Sequence, residues 1–200
     1  MTMGTRHLIA AMVDGQYRLA QYGQWDGNPG GQGLGVLRFL RDMKPSFVEK
    51  LRGCRYATDE QIKETWNGYK ISPEGMVAYD EAKDHDRKYP SLSRDTGSDI
   101  LALIQTAETM PLLRDSIDFA GDSLFCEWAY VVDFDKRTFE VYRGFNNSSV
   151  PDGERFANAP MEDSPRRDVK YYPVKLAKSY SLDALPGDKE FVAELSREDD

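Results

Sequence analysis

The chain has 200 residues, 26 basic against 34 acidic side chains and a formal charge of −8. Its length suits one domain with a sizeable core, and 40% apolar with 12% aromatic residues excludes a fully disordered chain. No apolar run approaches a membrane span, two cysteines make no disulfide framework or cysteine-based zinc site, and the acidic balance argues against general nucleic-acid binding.

Leu8–Val13 is a continuous apolar run, as expected of a strand covered on both faces. Asp14-Gly15 is a two-residue turn signal, and Gln16–Gln24 alternates Tyr17 and Leu19 with Ala20 and Tyr22. Strands are predicted near 5–13 and 17–24. Five glycines between Gly27 and Gly35 exclude a helix interior and predict a loop, which ends where Leu34–Met43 begins an amphipathic helix. Pro45 and Gly53 bracket a second short helix, and Thr58-Asp59-Glu60-Gln61 has capping-box spacing for a third that ends near Gly68. Ser72-Pro73 is predicted to open another helix running through Ala82, with Asp84–Lys88 as a solvated run.

Arg94–Ser98, with Asp95 or Thr96 as cap, precedes a helix striped by Ile100, Leu101, Leu103, Ile104 and Ala107. Phe125–Phe134 and Thr138–Arg143 flank the turn Asp135-Lys136-Arg137 and predict a second hairpin. Residues 144–169 read as a long loop, Tyr171–Leu182 as a last strand, Asp188–Arg197 as a polar helix and Glu198–Asp200 as a frayed tail. The order predicts a single α+β domain over 1–200, with a mainly antiparallel sheet covered by helices. A cytoplasmic protein without a cofactor or metal is the expectation.

Candidate chemistry gathers at the end of the opening hairpin. Tyr22 and Trp25 are suited to stacking on a ligand, and Gln24 and Asp26 to hydrogen-bonding it, with Gly27 opening the glycine loop. The alternative is an ordinary turn with a core tryptophan. Arg94, near a helix start, is a further ligand contact, and Glu127 an acid or a partner for Arg6. Cys126, between Phe125 and Trp128, reads as an inert buried thiol. Thr5 begins a strand after glycine, the placement a freed N-terminal nucleophile would need, although exposing it requires removal of Met1–Gly4. His7 is a candidate base and Arg6 a candidate stabiliser of negative charge.

Met3-Gly4-Thr5-Arg6-His7-Leu8-Ile9, Gln21–Gly27 and, less specifically, Glu127–Asp133 resemble a group of uncharacterised proteins of phages, actinobacteria and fungi. The resemblance implies a natural start at Met3 and brings no activity with it. The element order is also distantly similar to N-terminal-nucleophile hydrolases. Two readings result. One is a small-molecule, amide-cleaving hydrolase using Thr5, Arg6 and His7. The other is a non-catalytic module that binds a small molecule or, through the phage likeness, a host protein.

Overall fold

The computed structural model describes residues 4–161 and 169–196. Met3, Arg197 of the predicted terminal helix and the predicted C-terminal tail lie outside them. The fold is α+β, with a five-stranded sheet in the order β2-β1-β3-β4-β5. The strands are β1 (His7–Val13), β2 (Gln16–Gly23), β3 (Trp128–Asp133), β4 (Thr138–Arg143) and β5 (Lys175–Ser181). All neighbours are antiparallel except β1 and β3, which run parallel, with His7 opposite Trp128. The sheet is therefore mixed, though mostly antiparallel as predicted. The two hairpins lie side by side with their turns at the same end, where Asp135 accepts from Asp14 N and Gly15 N, and this makes the seam between them parallel.

The Asp14-Gly15 turn takes positive φ at both positions, 54° and 70°, as a two-residue hairpin turn demands. β1 lies inside the sheet and is buried at every position but Met12, which explains its unbroken apolar run. One face of the sheet carries the larger core, where Ile9, Leu19, Tyr130, Phe139 and Val141 meet the helices. Helix α1 (Leu34–Asp42) buries Val36, Leu37 and Leu40 there. Each such side chain contributes about 1.5–3 kcal/mol by leaving water. Helices α2 (Phe47–Gly53), α5 (Asp99–Thr106) and α6 (Asp188–Leu195) complete this layer. Helix α3 (Asp59–Glu64) has the predicted capping box, with the Thr58 hydroxyl accepting from Gln61 N and the Gln61 side chain accepting from Thr58 N. It ends at Glu64, short of the expected Gly68, and turns follow.

Three local expectations are corrected. Residues 72–76 form a tight turn rather than a helix start. Gly75 sits at φ 80° and Ile71 bridges Val77, so helix α4 spans Tyr79–Lys88 instead. The run Asp84–Lys88 is the last half of that helix. Its His85 is buried, stacked on Trp66 at 3.6 Å between ring centres and 2.8 Å from the Thr65 hydroxyl. The cap position of α5 is Ser98, because Gly97 at φ 53° turns the chain one residue before it.

The second face of the sheet is covered by the turn at Ile117–Gly121 and by Phe156 and Val174. Within the long 144–169 connection, Arg155 is clamped rather than free. Its guanidinium donates to Asp133 Oδ2 and Glu140 Oε2, both at 2.6 Å, and the Arg155, Asp133 and Glu140 side chains are 8%, 2% and 10% exposed. Tyr142 donates to the same Glu140 at 2.7 Å. Burial raises the pKa of both carboxyls, but the Arg155 hydrogen bonds, backbone N–H groups at Asp133 and hydroxyls at Glu140 outweigh it, and both sit below their ordinary range.

Carboxylates with lowered folded pKa values contribute stability above their unfolded pKa of about 4, and it is lost as pH falls through the folded values. Arg155→Ala strands two buried charges and is expected to cost about 3–5 kcal/mol at pH 7 in urea unfolding. The deficit should narrow toward pH 3, as the two carboxyls stranded in the variant take up protons more readily than those held by Arg155 in the wild type. A deficit unchanged from pH 7 to pH 3, or none at all, would contradict the clamp.

Candidate functional site

Strand β2 is at the edge of the sheet, so its outward backbone groups need other partners. Two chain segments supply some of them. Ser116 N donates to Ala20 O at 3.0 Å, with Asp115 bridging Ala20 in parallel. Further along, Gln24 N donates to Arg94 O at 2.9 Å. Outward groups recur every second residue, so Tyr22 lies on the same edge, between these two contacts. The two segments leave a gap there, and among the described residues the Tyr22 N–H and C=O make no hydrogen bond on that side.

That gap is a cavity of about 400 Å³, walled by Gln21 and Tyr22 of β2, Leu92, Arg94 and Asp95 of one segment, and Arg114 and Ser116 of the other. Its fourth wall is the face of α4 formed by Tyr79, Ala82, Lys83 and Asp86. The size lies in the usual range of small-molecule sites.

Gln21 projects onto the larger core face, where its neighbour two residues earlier is Leu19, and it is only 4% exposed. Its amide nitrogen donates to Ser93 O at 3.0 Å, which fixes the amide orientation. The amide oxygen, Oε1, is buried without a hydrogen-bond partner. An unpaired buried acceptor costs about 1–3 kcal/mol and calls for an explanation. Three cations, Lys83, Arg94 and Arg114, stand around the same cavity with two acids. Asp95 already accepts from Trp25 Nε1 at 2.9 Å and lies 4.0 Å from Arg94.

The residues singled out in the sequence divide accordingly. Tyr22 and Arg94 are walls of the cavity. Gln24 supports both, accepting from the Tyr22 hydroxyl at 2.5 Å and bonding Arg94 through its backbone. Trp25 holds Asp95 in place from outside the cavity. Asp26 and Gly27 serve the turn. Asp26 takes φ 54° and its carbonyl accepts from Gln32 N, while Gly27 donates to Thr5 O and accepts from the Tyr130 hydroxyl. A Cβ at Gly27 would lie 2.6 Å from that Thr5 oxygen, so the glycine is there for close approach. The predicted loop is instead a helical turn, Pro29–Gly33, kinked at Gly31 and running into α1, and the Asn28 side chain caps it by accepting from Gly31 N.

Glu127 is elsewhere, across β1 from β2, where its carboxylate accepts from Arg6 N at 3.2 Å and Arg6 lies over the Phe125 ring. Thr5 and His7 do not line the cavity either. His7 is 1% exposed, enclosed by Gly23 and Gly27, and its ring nitrogens have no partner of hydrogen-bond geometry. Burial drives its pKa down to about 4, with the Thr5 backbone opposing the shift. A ring so enclosed is held neutral and out of reach of a substrate. Gly4 packs under Trp25, since a Cβ there would come within 2.2 Å of the indole. Burial pushes the Cys126 thiol pKa well up, with Asp122 and Glu127 adding to the shift, which matches the inert thiol expected.

Sequence reasoning missed Gln21, Tyr79, Lys83, Asp86, Arg114 and Ser116. Gln21 left one signal, a polar residue on the apolar side of a strand alternation. Positions 79, 82, 83 and 86 follow helical spacing, which becomes visible once α4 is placed at Tyr79 rather than at Ser72.

Among the described residues no three His, Cys, Asp or Glu side chains converge as metal ligands would, and no helix is long and apolar enough to cross a membrane. Comparison with protein-family models, curated proteins and solved structures finds no match.

His7 should stay neutral down to about pH 5 in an NMR titration of its ring protons. Its lowered folded pKa means that the unfolded chain takes up the proton first. Stability should therefore fall by roughly 3 kcal/mol as pH drops from 6.5 to 4, over and above the clamp's contribution. Titration of His7 near pH 6.5 in the folded protein would contradict its enclosure.

Proposed function

We propose that the protein is a small-molecule binding module whose ligand occupies the cavity on the open edge of β2. The observation that carries this reading is the cavity itself, set against the open rung of Tyr22, where the strand edge offers a ligand one donor and one acceptor. Gln21 also lines it, with a buried Oε1 that has no partner. Two tyrosines, Leu92 and Ala82 supply apolar contact beside the charged groups, the mixed lining common to ligand pockets.

The amide-cleaving hydrolase reading is the weaker one. It requires Thr5 to be freed at the N-terminus and to act beside His7. Gly4 is packed against Trp25, His7 is sealed, and Thr5 lies outside the cavity. Ser116 is the one hydroxyl nucleophile type on the wall besides the tyrosines, and no histidine accompanies it there.

Native mass spectrometry after incubation with a desalted small-molecule cell extract tests the proposal. The wild type should carry an adduct that Ala82→Trp, which fills the cavity from α4, does not. An adduct kept by Ala82→Trp, or none on either protein, would contradict the site. An intact mass showing Thr5 as the first residue, with turnover lost in Thr5→Ala, would replace binding by hydrolysis.

A further inference from the structure

The cavity walls also restrict what the ligand can be, and this step rests on the binding reading above. The Tyr22 backbone offers one donor and one acceptor on an open strand edge. A group carrying N–H and C=O side by side, an amide or an imide, pairs with such an edge as another strand would.

The charges select the rest. Lys83 and Arg114 make no ion pair among the described residues, although the chain as a whole is acidic. Lys83 lies over the Tyr79 ring, 5.7 Å from its centre. Arg94 makes only its 4.0 Å approach to Asp95, whose Oδ1 is shared with Trp25. Asp86 is the one acid on the wall without such an anchor. Three cations against two acids, one of them engaged by an indole, favour an anionic group at the mouth.

We infer that the cavity takes a small organic anion bearing an amide- or imide-type N–H/C=O pair, the pair meeting the Tyr22 edge and the anion directed to Lys83, Arg94 and Arg114. The anion is a carboxylate, as in an acylated amino acid, or a phosphate, as in a pyrimidine mononucleotide. Both present the same chemistry to the wall.

Isothermal titration calorimetry with matched probes separates them. In the carboxylate arm, N-acetyl-L-phenylalanine is compared with its O-acetyl phenyllactate analogue, which lacks the N–H, and with N-acetyl-L-phenylalanine amide, which lacks the charge. In the phosphate arm, uridine monophosphate is compared with its N3-methyl derivative and with uridine. In one arm the parent probe should bind about tenfold or more tighter than either analogue. Arg114→Gln, at an exposed position, should bring the parent down toward its uncharged analogue without altering the preference for N–H. The responding arm identifies carboxylate or phosphate.

Analogues that bind as well as their parents, or an absence of binding in both arms, would overturn this ligand class. If the extract adduct blocked by Ala82→Trp were still present, the binding reading would stand and only its chemistry would fall. Loss of that adduct would remove both.

Discussion

An edge strand must find partners for its outward backbone groups or expose them, and β2 sets that problem for this fold. The protein meets it with two non-strand segments, Asp115 and Ser116 at Ala20 and Arg94 at Gln24. Each comes from a different part of the chain, and each is held by further bonds, Ala57 N donating to Leu113 O in one and the Gln21 amide and Trp25 indole donating to Ser93 and Asp95 in the other. Because they cover the edge at two separated points, the rung between them stays open. The cavity follows from this incomplete cover, and helix α4 closes its outer side.

The position of α4 in turn depends on a packing contact outside the cavity lining. His85 stacks flat on Trp66, with Tyr69 and Tyr89 around it, and so docks the inner face of α4 on the region of α3. The side of the helix bearing Tyr79, Ala82, Lys83 and Asp86 is then turned to β2. The same logic of a polar anchor in an apolar setting recurs on the other side of the sheet. There Arg155 ties its connection to β3 and β4 through two buried carboxylates. Such a buried ionic group is costly to break, which suits holding a long connection in one place.

Much of the architecture was legible from short-range chemistry. The positive-φ turn at Asp14-Gly15, the Thr58–Gln61 capping box, the α1 stripe and the unbroken apolar run of β1 each report a local constraint that the sequence states directly. The α4 segment was misread because Ser72-Pro73 has helix-start chemistry, yet Gly75 and the Ile71–Val77 bridge spend those residues on a turn. The charged run around His85 looked solvated because its stacking partner, Trp66, lies in a different element. At the site, Tyr22 and Arg94 were visible as polar and aromatic groups near element ends. Arg114 and Lys83 were not, since only tertiary structure brings them to β2. Gly27 and Asp26, read as ligand contacts, answer to backbone geometry instead.

The claim on which the account rests is that the sheet edge is open at one residue, and amide hydrogen exchange measured by NMR reaches it without knowledge of the ligand. In the free protein, the Tyr22 amide should exchange orders of magnitude faster than those of Gln21 and Gly23, which face β1. Equal protection of all three amides would mean that Tyr22 already has a partner and that the edge has no open rung for a ligand to fill.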